Sequence, residues 1–371
     1  MNNDIFCIVP FLNFSSTNDG HPRLCCQAST WKDIDIKNLN IKDLWHSKKY
    51  NDIRNKFING EWPDECNICK SRESKGIDSR RQDQLKIWNH LDFNKLINEP
   101  KIHYYDLRLG NTCNLKCIMC NPTNSSLWAT ESHLIEHLGS HNQHEGFTWA
   151  DGKLLDSIMN NLQDVEVMYF SGGEPLLNKK HIGILDKLIE SNLAHKISLE
   201  YDTNGTYINK IWMEKWKYFK NILIHLSIDG GKKVNEYVRY PVSYNKIINV
   251  IELLNNQPTI RTELQIALGA HNFHDLQSII DLTKKYNLNV DNQYNISIVE
   301  FPKWMTIHNM TNTDKKYCIN KYQKCSSRRV KSLLKTLKFT NNTPIQLQNY
   351  FKKLDTIRGL DHTNIFHWLY S

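Results

Sequence analysis

The chain has 371 residues, 40% of them hydrophobic and 23% charged, with ten cysteines and a formal net charge of +8. It is long enough for two domains with a sizeable core. No apolar run approaches membrane-spanning length, and MNNDIFCIVPF lacks the basic region and long apolar run of a secretory signal. A cytoplasmic location is therefore expected, with the cysteines reduced and serving as metal ligands, not disulfides.

Five cysteines come first: Cys7, Cys25, Cys26, Cys66 and Cys69. Cys7, Gly20 and Cys25 are spaced C-x12-G-x4-C, and Cys66 and Cys69 are spaced C-x2-C. Four thiolates close an iron–sulfur cube or a structural zinc site, and the residues leave both readings open. Cys26 is either a replacement for Cys25 or a spare thiol; the Gly20 spacing favours Cys25. The stretch DLWHSKKYNDIRNKFINGEWPDECNIC reads as a helix and turn between the two halves.

The segment HYYDLRLG alternates like a strand and ends in Gly110-Asn111-Thr112. NTCNLKCIMCNP follows, with Cys113, Cys117 and Cys120 spaced C-x3-C-x2-C on a loop. Three thiolates can hold three corners of a cube and leave one iron open to substrate or cofactor. A zinc knuckle would want a fourth Cys or His close by, and none follows at short spacing. The four histidines of ESHLIEHLGSHNQHEGFTWADG are irregularly spaced among polar residues, which reads as a solvated loop.

VEVMYFSGGEPLL gives a second strand ending in Gly172-Gly173-Glu174-Pro175. The glycines let backbone approach a ligand closely, and the carboxylate can take an ammonium group. KISLEYDTNGTY is a third strand ending at Asn204, and NILIHLSIDGG a fourth ending at Ser227 and Asp229. ELQIALG and YNISIVEF supply a fifth and a sixth. Helical periodicity fills the intervals in HIGILDKLIESNL, IWMEKWKYF, YNKIINVIELLN and FHDLQSIIDLTKKYN, with Leu185, Leu188 and Ile189 on one face and Ile248 and Ile251 on another. Strand–helix alternation of this kind reads as right-handed βαβ units and a parallel sheet.

From Phe301 to Ser371 the chain carries ten Lys and three Arg against three Asp, which leaves the remainder slightly acidic. Val330, Leu333, Leu334 and Leu337 make an apolar helical stripe, with Lys331, Lys335 and Lys338 around it. Such a helix either docks by its leucines with solvated lysines or meets phosphate, an acidic peptide or nucleic acid. Cys318 and Cys325 have no ligand partners nearby in sequence and read as ordinary thiols.

The C-x3-C-x2-C loop after one strand and GGE at the end of the next resemble the signature of the radical SAM superfamily, over roughly residues 100 to 300. The resemblance implies an α/β fold, a partial (β/α)6 TIM-type barrel. Domain boundaries follow at 1–98 (auxiliary iron–sulfur domain), 99–300 (radical SAM core) and 301–371 (basic helical tail). It further implies a [4Fe-4S] cluster on Cys113, Cys117 and Cys120 that binds S-adenosylmethionine and cleaves it reductively to a 5′-deoxyadenosyl radical, which abstracts hydrogen from an unidentified substrate. Gly172, Gly173 and Glu174 would hold the amino group of the cofactor, Ser227 and Asp229 the ribose, Arg239 the carboxylate, with Asn204 nearby. Met119 stands where the superfamily usually has an aromatic residue, and would pack on the adenine.

The front pattern resembles the shortened SPASM-like module called twitch, here ahead of the core, with a second [4Fe-4S] cluster on Cys7, Cys25, Cys66 and Cys69 and zinc as the alternative. A reductant such as flavodoxin or ferredoxin is implied, and a small-molecule, carrier-borne or peptide substrate. The basic tail adds the same chemistry on a nucleotide or nucleic acid, or a zinc-stabilised nucleic-acid-binding protein without turnover. Cys26, Cys318, Cys325, Tyr169 and Tyr240 are the hydrogen-donor candidates, unranked. The catalytic residues are not assigned.

Overall fold

The computed structural model describes residues 4–135, 148–288, 296–340 and 342–370. Eight strands appear among them: β1 (Asn13–Ser16), β2 (Pro22–Arg23), β3 (Tyr104–Arg108), β4 (Val167–Ser171), β5 (Ser198–Thr203), β6 (Asn221–Ser227), β7 (Ile260–Leu268) and β8 (Ile296–Ile298). Their order in the sheet is β2-β1-β3-β4-β5-β6-β7-β8. The pairs β1–β3, β3–β4, β6–β7 and β7–β8 are parallel, and only the β1–β2 hairpin is antiparallel among the pairings described. This is a partial TIM-type α/β fold in which β3 to β8 are the six strands expected from the sequence. The hairpin from the cysteine-rich front adds two more.

The chain divides into two compact units. One holds Met1–Thr112, Gly146–Glu200 and Ile211–Asn221; the other holds Cys113–Glu145, Tyr201–Lys210 and Ile222–Ser371. β1 pairs with β3, which joins the front segment to the strand that precedes the cysteine loop.

In the first unit the helix Lys179–Glu190 starts at Asn178, whose side chain accepts the Lys180 N–H. Its buried residues are His181, Ile184, Leu185 and Leu188. The buried stripe thus contains the expected Leu185 and Leu188 and widens on the Ile184 side, while Ile189 is half-buried. In the second unit Tyr244–Asn255 buries Ile247, Val250, Ile251 and Leu254, leaving Ile248 at the edge of its stripe. The tail helix Arg328–Thr336 buries Val330 and Leu333, while Lys331, Lys335 and Lys338 are exposed. This is docking by the apolar stripe. The histidine-rich stretch lies largely in residues 136–147, outside the described residues.

His181 is fully buried between the rings of Phe170 (4.1 Å) and Trp212 (4.8 Å), and its Nδ1 donates to the Pro175 carbonyl at 3.1 Å. Burial pulls its imidazole down to about 3, so it is neutral when folded at any ordinary pH. The unfolded chain takes up a proton there below about pH 6.5, so this residue's share of stability is complete above that pH and falls as pH drops toward 3. In His181→Phe, urea unfolding at pH 7.5 and 5.5 should show a smaller loss on acidification, by at most about 1.4 kcal/mol per pH unit. An unchanged loss would mean that the ring is not held neutral.

Candidate functional site

Cys113, Cys117 and Cys120 lie on an irregular loop that satisfies only part of its own backbone, the Cys120 N–H donating to the Cys117 carbonyl at 2.9 Å. Its second-unit neighbours supply further partners. The N–H of Cys113 reaches Ser126 Oγ (3.2 Å), Ser125 Oγ donates to the Leu115 carbonyl (2.6 Å), and Trp128 Nε1 donates to the Cys117 carbonyl (2.9 Å). The N–H groups of Lys116 and Ile118 donate to the carbonyls of Tyr240 (2.6 Å) and Val238 (2.8 Å). Tyr350, from the helix Ile345–Arg358, donates its hydroxyl to the Ile118 carbonyl at 2.8 Å. Burial pushes the thiols of Cys117 and Cys120 up, and for Cys120 the neighbouring Cys117 and Cys113 add to the effect. Cys113 and Cys117 thus act electrostatically on Cys120, and Met119 is half-buried.

A second layer of the same unit stands at the ends of β5 and β6. Asn204 donates its amide to Asn114 Oδ1 (3.0 Å), while its own Oδ1 takes the Thr206 N–H (2.9 Å) and hydroxyl (2.6 Å). It thereby fixes the residue next to Cys113. Arg239 and Asp229 pair with each other, Nε to Oδ2 at 2.7 Å, and Asp229 Oδ1 accepts the Ala267 N–H at 2.7 Å. Burial pushes the Asp229 carboxyl up, only partly offset by Arg239. Burial pulls the Arg239 guanidinium down, but Asp229, then Cys117 and Cys120, outweigh it and hold it above its ordinary value. Arg239 is thus in electrostatic reach of two of the thiols. The sequence reading gave these two residues separate tasks; in the structure they form one buried pair. Ser227 is half-buried at the end of β6.

Sequence reasoning missed two groups here. His271, just past β7, is fully buried, neither ring nitrogen has a hydrogen-bond partner among the described residues, and burial pulls it down to about 3. It stands beside Asn272, whose amide donates to the carbonyls of Asp229 (2.9 Å) and Ala267 (3.0 Å). The other group is Arg358. It pairs with Glu131 at 2.9 Å, and its guanidinium lies over the rings of Trp128 (4.8 Å) and Tyr240 (5.0 Å). Lys116 also pairs with Glu131. A lone histidine and a tail arginine carry no spacing signal, so no motif could reveal them.

In the first unit, Gly172 and Gly173 follow β4 and lie against Gly110, Asn111 and Thr112, the residues that lead into Cys113. Gly172 has φ +122°, and a Cβ on Gly173 would stand 2.3 Å from the Thr112 carbonyl oxygen. The Gly173 N–H donates to Gly110 O (3.2 Å) and the Glu174 N–H to Thr112 O (2.7 Å). Glu174 is buried, and its Oε1 accepts the Leu176 N–H at 3.1 Å.

The front cysteines also converge. Cys7, Cys25, Cys66 and Cys69 line one cavity with Val9, Leu24, Phe57, Trp62, Arg80 and Arg81. Burial, then the other thiols of the set, pushes Cys66 up; burial likewise raises Cys7, and it raises Cys25 to about 11 with Cys26 adding to it. Gly20 sits in the β1–β2 turn at φ +79°, where the Thr17 N–H donates to the His21 carbonyl at 2.8 Å. The hairpin returns the chain from Cys7 to Cys25, which is the physical content of the C-x12-G-x4-C spacing. Arg81 holds Glu73 with two N–H groups (2.9 and 2.6 Å) and the Phe6 carbonyl with a third (2.7 Å), bracing the residue before Cys7.

Both sets fit thiolate-held clusters by donor chemistry. Among the described residues no group of three or more His, Cys, Asp or Glu is disposed to hold a single metal ion. A cube takes its thiolates at separate corners, so they need not meet at one point. Of the other named residues, Cys318 is buried and pushed up to about 12 by burial, Cys26 and Cys325 are half-buried, Tyr169 stacks on Tyr104 at 6.4 Å, and Tyr240 lies under Arg358.

Residues 107–283 match the family model of the Radical SAM superfamily. A 137-residue stretch, 36% of the chain, is 29% identical to an uncharacterized protein of Methanocaldococcus jannaschii, of which it covers 40%. Among solved structures, native anSMEcpe with bound AdoMet is 21% identical over 48% of this chain and 47% of that one, with a TM-score of 0.37. SuiB of Streptococcus suis bound to S-adenosylmethionine is 14% identical over 80% and 62%, with a TM-score of 0.34. The chain spans less than two thirds of each of these proteins. Residues 107–283, just under half of the chain, are thus similar to a domain found in a class of enzymes. No helix among the described residues is long and apolar enough to cross a membrane.

Because a Cβ on Gly173 would meet backbone, Gly173→Ala should displace residues 111–112 and with them the start of the cysteine loop. Iron per chain after reconstitution is expected to fall while the fold persists by far-UV circular dichroism. Full iron retention would show that the contact is not needed.

Proposed function

We propose that the chain is a radical SAM enzyme with two [4Fe-4S] clusters, one on Cys113, Cys117 and Cys120 and an auxiliary one on Cys7, Cys25, Cys66 and Cys69 in a twitch-like front module. The observation that carries this reading is the convergence of each cysteine set: three thiols beside the buried Arg239–Asp229 pair, and four around one cavity. When bound, the first cluster would pass one electron to S-adenosylmethionine at its open iron and release a 5′-deoxyadenosyl radical for hydrogen abstraction.

The chain's own part is orientation. Arg239 presents a guanidinium next to the thiols, kept charged by Asp229, suited to the carboxylate of an amino-acid cofactor. In the first unit, Glu174 and the two glycines offer a buried carboxylate and bare backbone, the chemistry that an amino group takes. Asn204 holds Asn114 in place, and Ser227 and Met119 are the remaining groups for ribose and adenine. Closure of all four corners by the front cysteines suits electron transfer rather than substrate binding. Electrons would come from a flavodoxin or ferredoxin.

The test is iron, sulfide and zinc per chain after anaerobic reconstitution, with a 5′-deoxyadenosine assay. Wild type should hold about eight irons, and Cys113, Cys117 and Cys120 changed together to Ala about four, with cleavage lost. Cleavage by the triple variant would overturn the assignment of the first cluster. Four irons in wild type with one zinc retained would leave the first cluster and make the front site structural.

A further inference from the structure

Against the cysteine loop of the second unit lies a buried charge group that takes no part in orienting the cofactor. Glu131 receives a cation on each carboxylate oxygen. Lys116, which stands between Cys113 and Cys117, donates its ammonium to Oε1. Arg358 Nε donates to Oε2 at 2.9 Å, and its Nη2 is 2.9 Å from the same oxygen. The backbone ties this group to the loop. The Lys116 N–H donates to the Tyr240 carbonyl at 2.6 Å, and both cations lie against the Tyr240 ring, at 5.5 Å (Lys116) and 5.0 Å (Arg358). Trp128, whose ring is 4.8 Å from the Arg358 guanidinium, donates its indole N–H to the Cys117 carbonyl at 2.9 Å.

Two cations thus share one carboxylate. The Arg358 side chain is fully buried, and those of Glu131 and Lys116 are 8% and 13% exposed. The next carboxylate on the helix Ile345–Arg358 is Asp355, which is engaged by the Tyr237 hydroxyl (2.8 Å) and the His362 N–H (2.9 Å). Arg358 Nη1 is buried with no hydrogen-bond partner among the described residues. With Arg358 answered by Glu131, the Lys116 ammonium is a surplus charge on the loop itself. Buried charge is costly unless an opposite charge answers it. Three thiolates around an oxidised [4Fe-4S] core would give the loop one net negative charge, and a second after reduction. That charge is opposite in sign and lies on the same loop.

We propose that Lys116, Glu131 and Arg358 form a net-cationic group that stabilises the reduced cluster on Cys113, Cys117 and Cys120, and so sets how readily it takes its electron. The donor, of flavodoxin or ferredoxin type, is oxidised by one electron and the cluster reduced by one; the three residues supply counter-charge and exchange no proton. This rests on the first-cluster reading and goes beyond it, because these residues tune a potential and bind neither cofactor nor iron.

The test is a redox titration of the reconstituted full chain, with iron counted per chain. It follows the electron paramagnetic resonance signal that added S-adenosylmethionine alters. At a fixed potential the ratio of reduced to oxidised cluster should fall about tenfold in Arg358→Gln and in Lys116→Met, equivalent to about 59 mV for one electron. It should rise in Glu131→Gln. Arg358→Lys keeps the charge without the fork and should stay near wild type, as should Lys353→Gln, an exposed cation on the same helix. Shifts of one sign in all three charge-changing variants would overturn the proposal, because a loosened loop moves the potential without regard to charge. So would unchanged ratios, or an Arg358→Lys shift as large as that of Arg358→Gln. Should Glu131→Gln fail to fold, the two Arg358 variants settle the matter, since Arg358→Gln leaves a balanced Lys116–Glu131 pair. Absence of any S-adenosylmethionine-sensitive signal in wild type removes the first cluster and this inference with it. A signal with unshifted ratios removes this inference alone.

Discussion

The cysteine loop must hold three thiols at fixed spacing without a helix or a strand to do it. An irregular segment has no internal ladder, so its carbonyls and N–H groups must find partners elsewhere or stay in water. Here they find Val238, Tyr240, Ser126, Trp128 and Tyr350, and the side chain of Asn114 is held by Asn204. Those partners come from four separated stretches of the second unit. The loop is therefore set by tertiary structure, and the tail takes part in setting it.

That gives the C-terminal region a structural role. Its lysines around Arg328–Thr336 are exposed, while Tyr350 and Arg358 reach the loop and the Glu131 that braces it. Arg358 is itself buried by Trp128 and Tyr240, so its charge is compensated by a carboxylate and two aromatic faces. An ion pair so enclosed adds little net stability compared with apolar packing, but losing one partner strands the other. The arrangement specifies position more than it adds energy.

The front of the chain works by a different device. Its four thiols are brought together by a hairpin with a left-handed glycine at its turn and by the helical segment around Cys66 and Cys69. The same hairpin extends the sheet and carries Arg23 into a row with Asp106. One short element thus serves both the front cysteine set and the sheet.

Much of this was legible in the residues. The six core strands, their helices and the ends carrying Gly172–Glu174, Asn204 and Asp229 follow from periodicity, since alternation and the 3.6-residue repeat are local properties. The cysteine spacings likewise state which thiols belong together. On Lys179–Glu190 the expected Leu185 and Leu188 are buried, but Ile184 joins them in place of Ile189, because which flank of an apolar face is buried depends on what packs against it. The pairing of Arg239 with Asp229, the isolation of His271, the anchoring by Tyr350 and Arg358 and the row of Arg23 with Asp106 join residues remote in sequence. Sequence alone determined the elements and the spacing of the cysteines. Only the tertiary structure decided which charges meet, because burial and register, not spacing, fix the partner of a buried polar group.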